Sequence, residues 1–462
     1  MRNLSLFSVI PIAFIALLCI VFIGLGSINQ AQLGLALLII LLGLLPSLIM
    51  LIDERESVLI PLMPLTGLFY AISFGVPMLS SQVSYKEVNA EIITEALGLT
   101  VLGLLFLYIG FYAFRRFYSK PSSMQFLNNV STRRQIWIAW IMYGIYLIFT
   151  IFPVLQSIPS VGQFYTLLDY ISLGLLFALA LDNKLRKMHF RFFVLVLIFT
   201  LFLQILSGSL APAFFLMVFL GVIYWIKKKT VPWVFILVGI IFVVGLNPVK
   251  HGYRAIAWES QSFSALSYSE KATLFFEAGK VFYERDLYAA LSEDSTTINR
   301  VSHISTFAKV ISMSPESVPY WLGGSYRTLL TSFIPRALWP NKPQSEIGQE
   351  FGHRYSLLHP KDTLTSYNLP WLTEFYANFG VTGVFLGMFA VGLIFRFLVT
   401  KMSAPTSQNV RLLLGLTITF QLFYAESNFA LMVGGLLPKY IACLGLLWIV
   451  TAKYIWKRKL DH

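Results

Sequence analysis

The sequence is poor in charge and in cysteine, and both shortages limit what the protein can be. Charged side chains make up 12% of the 462 residues, whereas a soluble globular domain has about 25%. The two cysteines, Cys19 and Cys443, fall inside apolar stretches, so no disulfide or cysteine metal site is expected outside a membrane. The sequence also contains no P-loop, repeat or low-complexity segment. Composition therefore excludes a soluble domain and a soluble ATPase module.

Long apolar runs are what the sequence has in abundance, since 57% of its residues are hydrophobic. These runs are continuous and do not alternate, which favours membrane helices over a β-barrel. The first run is too long for a signal peptide and lacks a cleavage site, so it is expected to remain as a span. With roughly 20 apolar residues needed per span, we predict about twelve spans, near residues 5–25, 32–52, 58–80, 95–114, 135–155, 165–181, 191–208, 211–226, 231–247, 376–398, 411–425 and 438–455.

Lysine and arginine are distributed unevenly among the connections between these spans. Clusters such as Arg115, Arg116, Arg133 and Arg134, and later Lys227–Lys229, alternate with connections that have almost no cations. Because cytoplasmic loops carry the excess of Lys and Arg, both termini are predicted to be cytoplasmic. Topology and anionic lipid headgroups account for much of the net charge of +13, so nucleic-acid binding is not expected.

One connection is far longer than the others and divides the chain into three predicted parts. About nine spans precede it in residues 1–247, the large outer loop occupies residues 248–375, and about three spans follow in residues 376–462. Loops of this length are uncommon unless they are functional. Near residues 264–291, apolar residues recur at helical spacing with charged residues between them. This pattern predicts an amphipathic helix on the membrane surface or on the helix bundle.

The stretch FIPRALWPNKP, residues 333–343, stands out within this loop. Its three prolines fix the backbone and disfavour a helix, so they predict a rigid extended turn. Trp339 suits the lipid interface, and Arg336 and Lys342 are presented on a backbone that cannot easily relax. Such a pair could bind a lipid pyrophosphate, or it could be the ordinary snorkelling of cations at the interface.

A longer segment around this stretch resembles a known family. The run VPYWLGGSYRTLLTSFIPRALWPNKP, with FGHRYSLL and NLPWLTEFYANFGVTGVFLG after it, resembles the bacterial O-antigen and exopolysaccharide repeat-unit polymerases of the Wzy type. The resemblance covers residues 318–387. Its motif residues are Ile334, Pro335, Leu338, Trp339, Pro340, Lys342 and Pro343, then Glu374, Asn378, Phe379 and Gly380. Where members of that family often have an arginine after a small-residue turn, this chain has Ser209-Leu210.

The resemblance implies a fold, a location and a reaction. The fold is an all-α, polytopic, glycosyltransferase-C-like protein of the bacterial inner membrane, with about twelve transmembrane helices and one large periplasmic loop. The reaction joins oligosaccharide repeat units carried on polyprenyl pyrophosphate. The acceptor hydroxyl attacks the anomeric carbon of the donor, and the lipid pyrophosphate leaves. The implied partners are this lipid-linked oligosaccharide, membrane lipid, a chain-length regulator and a flippase, and no cofactor or nucleic acid is implied.

This chemistry needs a base for the acceptor hydroxyl and cations for the leaving pyrophosphate. The candidate bases are His353, His359 and Glu374. The candidate groups for the pyrophosphate and the sugars are Arg254, Arg300, Arg327, Arg336, Lys342, Tyr326, Tyr355 and Asn378. No metal site is expected. Two carboxylates near predicted span ends, Asp169 and Glu426, rank below these groups because solvation is cheap there.

Two other functions remain open at this point. An O-antigen ligase would use the same topology and chemistry, and only the Pro-Trp-Pro stretch favours the polymerase over it. A transporter or a flippase for lipid-linked oligosaccharides would need a hydrophilic path through the bilayer. The sequence has few charges in the middle of its spans and no clear similarity between its halves, which disfavours a transporter.

Overall fold

The computed structural model describes most of the chain. The described residues are 29–53, 56, 59–79, 88–113, 130–152, 154–155, 162–259, 266–283, 302–332, 334, 338–339, 341–342, 346–363 and 365–459. The predicted first span at 5–25 and the candidate site residues Arg300 and Arg336 lie outside them. Arg254 lies within a helix, but its side chain is also outside what is described.

All regular secondary structure in these residues is helical. The described helices, numbered in chain order, are α1 (Gln30–Ile52), α2 (Leu62–Tyr70), α3 (Ala90–Ala113), α4 (Thr132–Ile151), α5 (Gly162–Leu181), α6 (Lys187–Ile205), α7 (Ala211–Lys228), α8 (Trp233–Glu259), α9 (Tyr268–Tyr283), α10 (His303–Met313), α11 (Leu329–Ser332), α12 (Ile347–Arg354), α13 (Trp371–Met402), α14 (Asn409–Phe420), α15 (Phe429–Gly434) and α16 (Leu436–Lys459). A π-helical turn, Ala71–Gly75, and a 3-10 turn, Val76–Leu79, continue α2. Further 3-10 turns are Gly324–Thr328 and Gln421–Phe423.

Nine segments of the described chain are long and apolar enough to cross a membrane. They are Gln30–Ile52, Leu62–Leu79, Ala90–Ala113, Thr132–Ile151, Phe164–Leu181, Lys187–Ile205, Ala211–Lys228, Trp371–Met402 and Phe429–Trp448. Two shorter apolar helical segments are Trp233–Asn247 and Asn409–Phe423. The chain is therefore an all-α protein with about nine candidate membrane-spanning helices, as a multi-pass membrane protein requires.

Two helix boundaries differ from those that hydropathy indicates. Helix α8 continues to Glu259, beyond the apolar run that ends at residue 247. Helix α13 begins at Trp371, five residues before the predicted span at 376–398. Pro370 precedes its first residue, and Trp371 and Leu372 are fully buried, so packing extends the helix at this end. As a result Glu374 lies in the first turn of α13, where a carboxylate interacts favourably with the helix dipole.

The chain forms two compact units, one of residues 1–171 with 298–462 and the other of residues 172–297. The predicted division at residues 247 and 375 stays a prediction. In the second unit, α9 packs against α8 through a buried cluster of Phe275, Ala278, Val249, Tyr253 and Leu206. The Tyr253 hydroxyl donates a hydrogen bond to the Leu206 carbonyl oxygen at 2.9 Å. Most charged residues of α9 lie on its exposed face, so this helix is amphipathic.

Glycine allows the main helix pair of the first unit, α3 and α13, to cross with their backbones in contact. A Cβ atom on Gly110 would lie 2.2 Å from the Phe389 carbonyl oxygen. A Cβ atom on Gly392 would lie 2.2 Å from the Leu107 carbonyl oxygen. Small residues at a crossing let membrane helices approach closely and gain dispersion contacts, which drive their association in lipid. The position of α13 therefore depends on these two glycines.

A buried ion pair fixes the later part of α13 to the connection between α1 and α2. Arg396 Nη1 lies 2.9 Å from Glu56 Oε1, and both side chains are less than a tenth exposed. The guanidinium also lies over the Phe111 ring, 5.2 Å from its centroid. Ile60 N donates to Ser403 Oγ at 2.9 Å in the same region. Removal of either charged partner would leave the other buried and uncompensated.

The glycine crossing can be tested by adding one methyl group. Gly110→Ala should lower the free energy of unfolding by about 1–3 kcal/mol, because the new methyl must displace the α13 backbone. The measurement is thermal unfolding of the purified protein in detergent.

Gly98→Ala on the same helix is the matched control. Among the described residues nothing lies within 4 Å of the position that its Cβ would take. Alanine is favoured over glycine in a helix by about 1 kcal/mol, so this variant should be neutral or slightly stabilised. Equal melting temperatures for the two variants would contradict the close crossing.

Candidate functional site

The candidate site is built around a break in α13. Phe379 (φ −140°, ψ 17°) and Gly380 (φ 61°, ψ −147°) leave the helical conformation in the first third of this candidate span. Two features of the backbone at position 380 require glycine. Its positive φ favours glycine, and a Cβ atom would lie 2.7 Å from the Tyr320 hydroxyl. The Asn-Phe-Gly sequence at 378–380 is therefore the local cause of the break.

Backbone groups of a preceding loop satisfy the carbonyls that the break exposes. Trp321 N donates to the Ala377 carbonyl oxygen at 2.9 Å, and Leu322 N donates to the Asn378 carbonyl oxygen at 3.2 Å. Unsatisfied backbone groups are costly at membrane depth. The loop at 320–325 therefore completes the hydrogen bonding of α13 and is fixed in place by it.

A buried polar cluster connects the end of this loop to α13. Ser325 Oγ donates to Glu374 Oε1 at 2.6 Å, and Phe429 N donates to Glu374 Oε2 at 2.6 Å. Asn378 Nδ2 donates to Ser325 Oγ at 2.8 Å, and Asn378 Oδ1 accepts from Gly323 N at 2.9 Å. Ser325, Glu374 and Asn378 are all completely buried. We call these three side chains the SEN cluster.

Helical spacing explains how α13 supplies two members of the SEN cluster. Glu374 and Asn378 are four residues apart, so they lie on the same face of the helix, and Asn378 Nδ2 also donates to the Glu374 carbonyl oxygen. Within the part of the chain that the structure describes, no ion pair joins Glu374 to a cation. Among the described residues, hydrogen bonds alone hold this carboxyl group in place.

Tyr326 follows Ser325 and lies next to the SEN cluster. Its hydroxyl oxygen is buried and has no hydrogen bond of good geometry among the described residues. Burial raises the pKa of Tyr326 and the nearby Glu374 carboxylate raises it further, whereas a hydrogen bond to Ser325 opposes the rise. The tyrosine is therefore protonated, and the Ser325 oxygen is a neighbouring acceptor for its proton.

An apolar groove begins at Tyr326 and follows α13 beyond its break. The groove has a volume of about 580 Å³, and its floor comes from α13 residues 382–390. Its walls are Tyr326, Leu329, Phe375, Phe379 and Phe429. Ring contacts join these walls, since the Phe429 ring centroid lies 5.8 Å from that of Phe375 and 6.2 Å from that of Tyr326. The surface that these residues present to the groove is almost entirely apolar.

A cation lies next to this tyrosine in the chain. Arg327 Nη2 lies 2.7 Å from Glu350 Oε2, and the two side chains are 58% and 37% exposed. An exposed ion pair of this kind stabilises a protein by about 0–1 kcal/mol. The guanidinium can therefore exchange its partner for a ligand at small cost.

A second buried polar group is His303, at the start of α10. Its ring lies 5.8 Å from the Phe69 centroid and 6.2 Å from the Phe74 centroid. Glu426 Oε1 is 3.6 Å from His303 Nε2, and Asn368 Nδ2 donates to the same carboxylate. Burial lowers the pKa of His303 from 6.5 to about 4. The ring is therefore neutral at pH 7, and protonation at lower pH would place its charge 3.6 Å from the Glu426 carboxyl oxygen.

Comparison with known proteins assigns a family to this chain. A family model described as a domain of unknown function, DUF8712, matches residues 12–458. The chain belongs to this family. No curated protein and no solved structure matches it. The matched residues include the break in α13, the SEN cluster and the residues that line the groove.

The structure brings three of the predicted site residues of this DUF8712 protein together. Glu374 and Asn378 belong to the SEN cluster, and Tyr326 lies beside it at the mouth of the groove. Arg327 is adjacent to Tyr326 in the chain but is exposed and paired with Glu350.

Other predicted residues lie elsewhere in the first unit. His353 Nε2 is hydrogen-bonded to the Asp362 carbonyl oxygen at 2.8 Å. His359 is exposed and accepts a hydrogen bond from Lys361 N at 3.2 Å. The Tyr355 side chain is fully buried, and burial raises its pKa.

Two further predicted residues, Tyr355 and Lys342, form hydrogen bonds within the protein. The Tyr355 hydroxyl shares a hydrogen bond of 2.9 Å with Ser314 Oγ. Lys342 Nζ donates to the Ile334 carbonyl oxygen at 3.0 Å, and Lys342 N donates to the Trp339 carbonyl oxygen at 3.1 Å. Pro335, Pro340 and Pro343 lie outside the described residues, so the rigid turn stays a prediction.

Sequence reasoning missed Ser325 and the backbone of Phe429. One signal for Ser325 was present, since Gly323 and Gly324 precede it and mark a tight turn. Gly323 has a φ of 92°, as such a turn requires. Phe429 takes part through its backbone N–H, and no residue-type pattern indicates such a donor.

The SEN cluster predicts a destabilised Ser325→Ala variant. The free energy of unfolding should fall by about 1–3 kcal/mol, because Glu374 and Asn378 each lose a buried partner. Ser312→Ala is the matched control, since Ser312 Oγ donates only to the Lys309 carbonyl oxygen of its own helix. Both variants are compared with wild type by thermal unfolding in detergent.

A double-mutant cycle then tests the coupling within the cluster. Ser325→Ala and Glu374→Gln should show an interaction energy of about 0.5–3 kcal/mol, because they share one hydrogen bond. Additive effects of the two substitutions would contradict a shared network.

Burial of His303 predicts a pH dependence of stability. The unfolded ring has a pKa near 6.5 and the folded ring one of about 4, so the unfolded state binds more protons between these values. Stability contributed by the neutral ring is present above pH 6.5 and is lost as the pH falls towards 4, by up to about 3 kcal/mol.

The measurement is thermal unfolding between pH 4 and 7.5 for wild type, His303→Phe and His359→Phe. Phenylalanine fits among Phe69 and Phe74 and does not titrate, so His303→Phe should flatten the profile. His359→Phe, at an exposed loop position, should keep the wild-type profile. A wild-type profile unchanged by His303→Phe would show that other groups, such as Glu426, cause the acid sensitivity.

Proposed function

We propose that this protein polymerises oligosaccharide repeat units that are linked to polyprenyl pyrophosphate, on the outer face of the bacterial inner membrane. The observation that carries the proposal is an apolar groove whose wall residue Tyr326 is followed in the chain by the exposed cation Arg327. An apolar surface and a cation on one connection suit a ligand that has an apolar chain and an anionic group. The resemblance of residues 318–387 to repeat-unit polymerases supports the same substrate class.

The proposal includes a finer description of the fold. About twelve spans, with the first at residues 5–25, would place both termini in the cytoplasm and the long connection in the periplasm. The architecture would then be glycosyltransferase-C-like. The loop at 320–325 and the start of α13 would lie at the outer membrane surface, where a lipid headgroup and a periplasmic sugar meet.

The reaction transfers a glycan from lipid pyrophosphate to a sugar hydroxyl. The acceptor oxygen forms a bond to the anomeric carbon of the donor, and the bond between that carbon and the pyrophosphate oxygen breaks. The electron pair leaves with the lipid pyrophosphate, and the hydroxyl proton passes to a base. Negative charge increases on the leaving oxygen, so cations placed there lower the barrier.

Arg327 is the described cation best suited to the leaving group. Its planar guanidinium matches phosphate oxygens, and its exposed pair with Glu350 is weak enough to be exchanged. Lys342 already donates to a backbone carbonyl in its own turn, which makes it a second choice.

Glu374 is the base that the described geometry favours. His353 uses its Nε2 on a backbone carbonyl, and His359 lies in an exposed loop. Glu374 is buried beside Tyr326 and is hydrogen-bonded to Ser325. In this proposal it accepts the proton of the acceptor hydroxyl through the Ser325 hydroxyl.

A polymerisation assay tests the function. The full-length protein, purified in detergent, is given lipid-pyrophosphate-linked repeat units, and the products are separated on a gel. Wild type should produce a ladder. Arg327→Ala should slow it roughly a hundred-fold, the usual effect of removing one group that stabilises developing charge. Lys361→Ala, an exposed cation in the same connection, is the matched control and should keep the wild-type rate.

Two results would overturn the proposal. Transfer of a preformed polymer to lipid A core, without a ladder from repeat units, would identify a ligase. Movement of the lipid-linked unit across liposome membranes, with neither transfer reaction, would identify a flippase.

A further inference from the structure

Helix α12 lies against the loop that completes the break in α13. Arg354, its last residue, donates through Nη2 to the Pro319 carbonyl oxygen, and its guanidinium lies over the Trp321 ring, 5.3 Å from the centroid. The Phe351 ring contacts the same tryptophan at a centroid distance of 6.2 Å. These contacts hold the beginning of the loop, where Trp321 N is hydrogen-bonded to α13.

An ion pair connects the same helix to the other end of the loop. Arg327 Nη2 lies 2.7 Å from Glu350 Oε2. Glu350 and Arg354 are four residues apart, so they lie on one face of α12. We call Glu350, Phe351 and Arg354 the latch. Because Ser325 lies between the two points that the latch contacts, the latch encloses the part of the loop that belongs to the SEN cluster.

Few other contacts hold α12 itself. Its two glycines pack on the segment that follows it, since a Cβ atom on Gly348 would lie 2.2 Å from Ser366 Oγ and one on Gly352 would lie 2.4 Å from Leu358. No described helix packs extensively against α12, and the ion pair of the latch is exposed. Segments with few buried contacts open at a low free energy. α12 is therefore suited to release the loop while the pair of α3 and α13 stays folded.

The SEN cluster is enclosed in this structure. Ser325, Glu374 and Asn378 are completely buried, and in the proposed reaction a sugar hydroxyl must reach Ser325. The loop N–H groups of Trp321 and Leu322 are hydrogen-bonded to α13 carbonyl oxygens, so the loop has to rise before a ligand enters. The contacts that hold the loop from outside therefore control access to the cluster.

We infer that the latch closes the SEN cluster, and that an anionic ligand opens it by drawing Arg327 away from Glu350. The inference rests on the proposed function, in which Arg327 contacts the lipid pyrophosphate. A phosphate competes with the Glu350 carboxylate for the guanidinium donors, because both are oxyanions that accept charge-assisted hydrogen bonds. Binding of the substrate thus breaks one of the two connections between α12 and the loop, and recognition leads to entry.

The test is hydrogen exchange of the full-length protein in detergent, measured by mass spectrometry on peptides from the loop. The amides of Trp321, Leu322 and Gly323 all donate to α13, the last of them to Asn378 Oδ1. Their exchange therefore reports the lifting of the loop from the break.

Glu350→Gln removes the ion pair and should raise the exchange rate of these amides about two- to five-fold, the effect of losing one exposed pair. Glu346→Gln is the matched control and should exchange at the wild-type rate. Glu346 is exposed at the start of the same helix, and its side chain caps no backbone N–H.

Arg354→Gln removes the connection at the beginning of the loop. It should raise the exchange rate about ten-fold or more, the effect of losing a hydrogen bond from a charged group. Exchange in α3 should stay at the wild-type rate in this variant and in Glu350→Gln, because only the loop opens.

Inorganic pyrophosphate tests the release by a ligand. At saturation it should raise loop exchange in wild type as much as Glu350→Gln does, because both remove the same connection. In Glu350→Gln it should add nothing. Sodium chloride at equal ionic strength is the control, since salt alone screens an exposed pair.

Three results would overturn the inference. Unchanged loop exchange in Glu350→Gln and Arg354→Gln would show that α12 does not hold the loop. Equal acceleration in α3 and in the loop would show general destabilisation of the protein. Equal effects of pyrophosphate and sodium chloride would exclude release by an anionic ligand. A latch that opens as expected in a protein that forms no polymer ladder would refute the proposed function alone, because exchange involves no glycosyl transfer.

Discussion

The break in α13 is the constraint on which the rest of the candidate site depends. In a bilayer no water satisfies the backbone, so irregular structure persists only where protein groups replace the missing helical hydrogen bonds. At Phe379–Gly380 the replacements are the backbone N–H groups of Trp321 and Leu322. These two hydrogen bonds fix the positions of the residues that follow Leu322, among them Ser325 and Tyr326. The break thus determines where the polar cluster and the groove meet.

A buried carboxyl group holds three separate segments together at this point. Glu374 accepts hydrogen bonds from Ser325 and from the backbone of Phe429, each at 2.6 Å. An unpaired polar group at this depth would cost several kcal/mol, so neither donor is dispensable. The group that the proposed reaction uses as a base therefore also maintains the fold around it. Deletion of the side chain confounds these two roles, and only conservative substitution with separate measurements of stability and rate can distinguish them.

Hydropathy was sufficient to predict the helical class and most of the spans, because a bilayer requires roughly 20 apolar residues whatever their packing. Hydropathy could not predict which residues contact one another in the tertiary structure. Ser325 lies 49 residues before Glu374, and the polar pattern around each gives no indication of the other. Arg396 forms a buried ion pair with Glu56, 340 residues away, and no local pattern indicates this partner. The resemblance to repeat-unit polymerases thus named Glu374 and Asn378 as candidates, whereas Ser325 joins them only through packing at long range.

Hydrogen bonding within the SEN cluster engages every polar group that could take part in chemistry there. Ser325, Glu374 and Asn378 satisfy one another, as do roughly 90% or more of buried polar groups in native proteins. Glu374 uses both carboxyl oxygens in this way, one on Ser325 Oγ and one on Phe429 N. An acceptor hydroxyl would therefore reach this carboxyl group only through Ser325 or by displacement of one of the two donors.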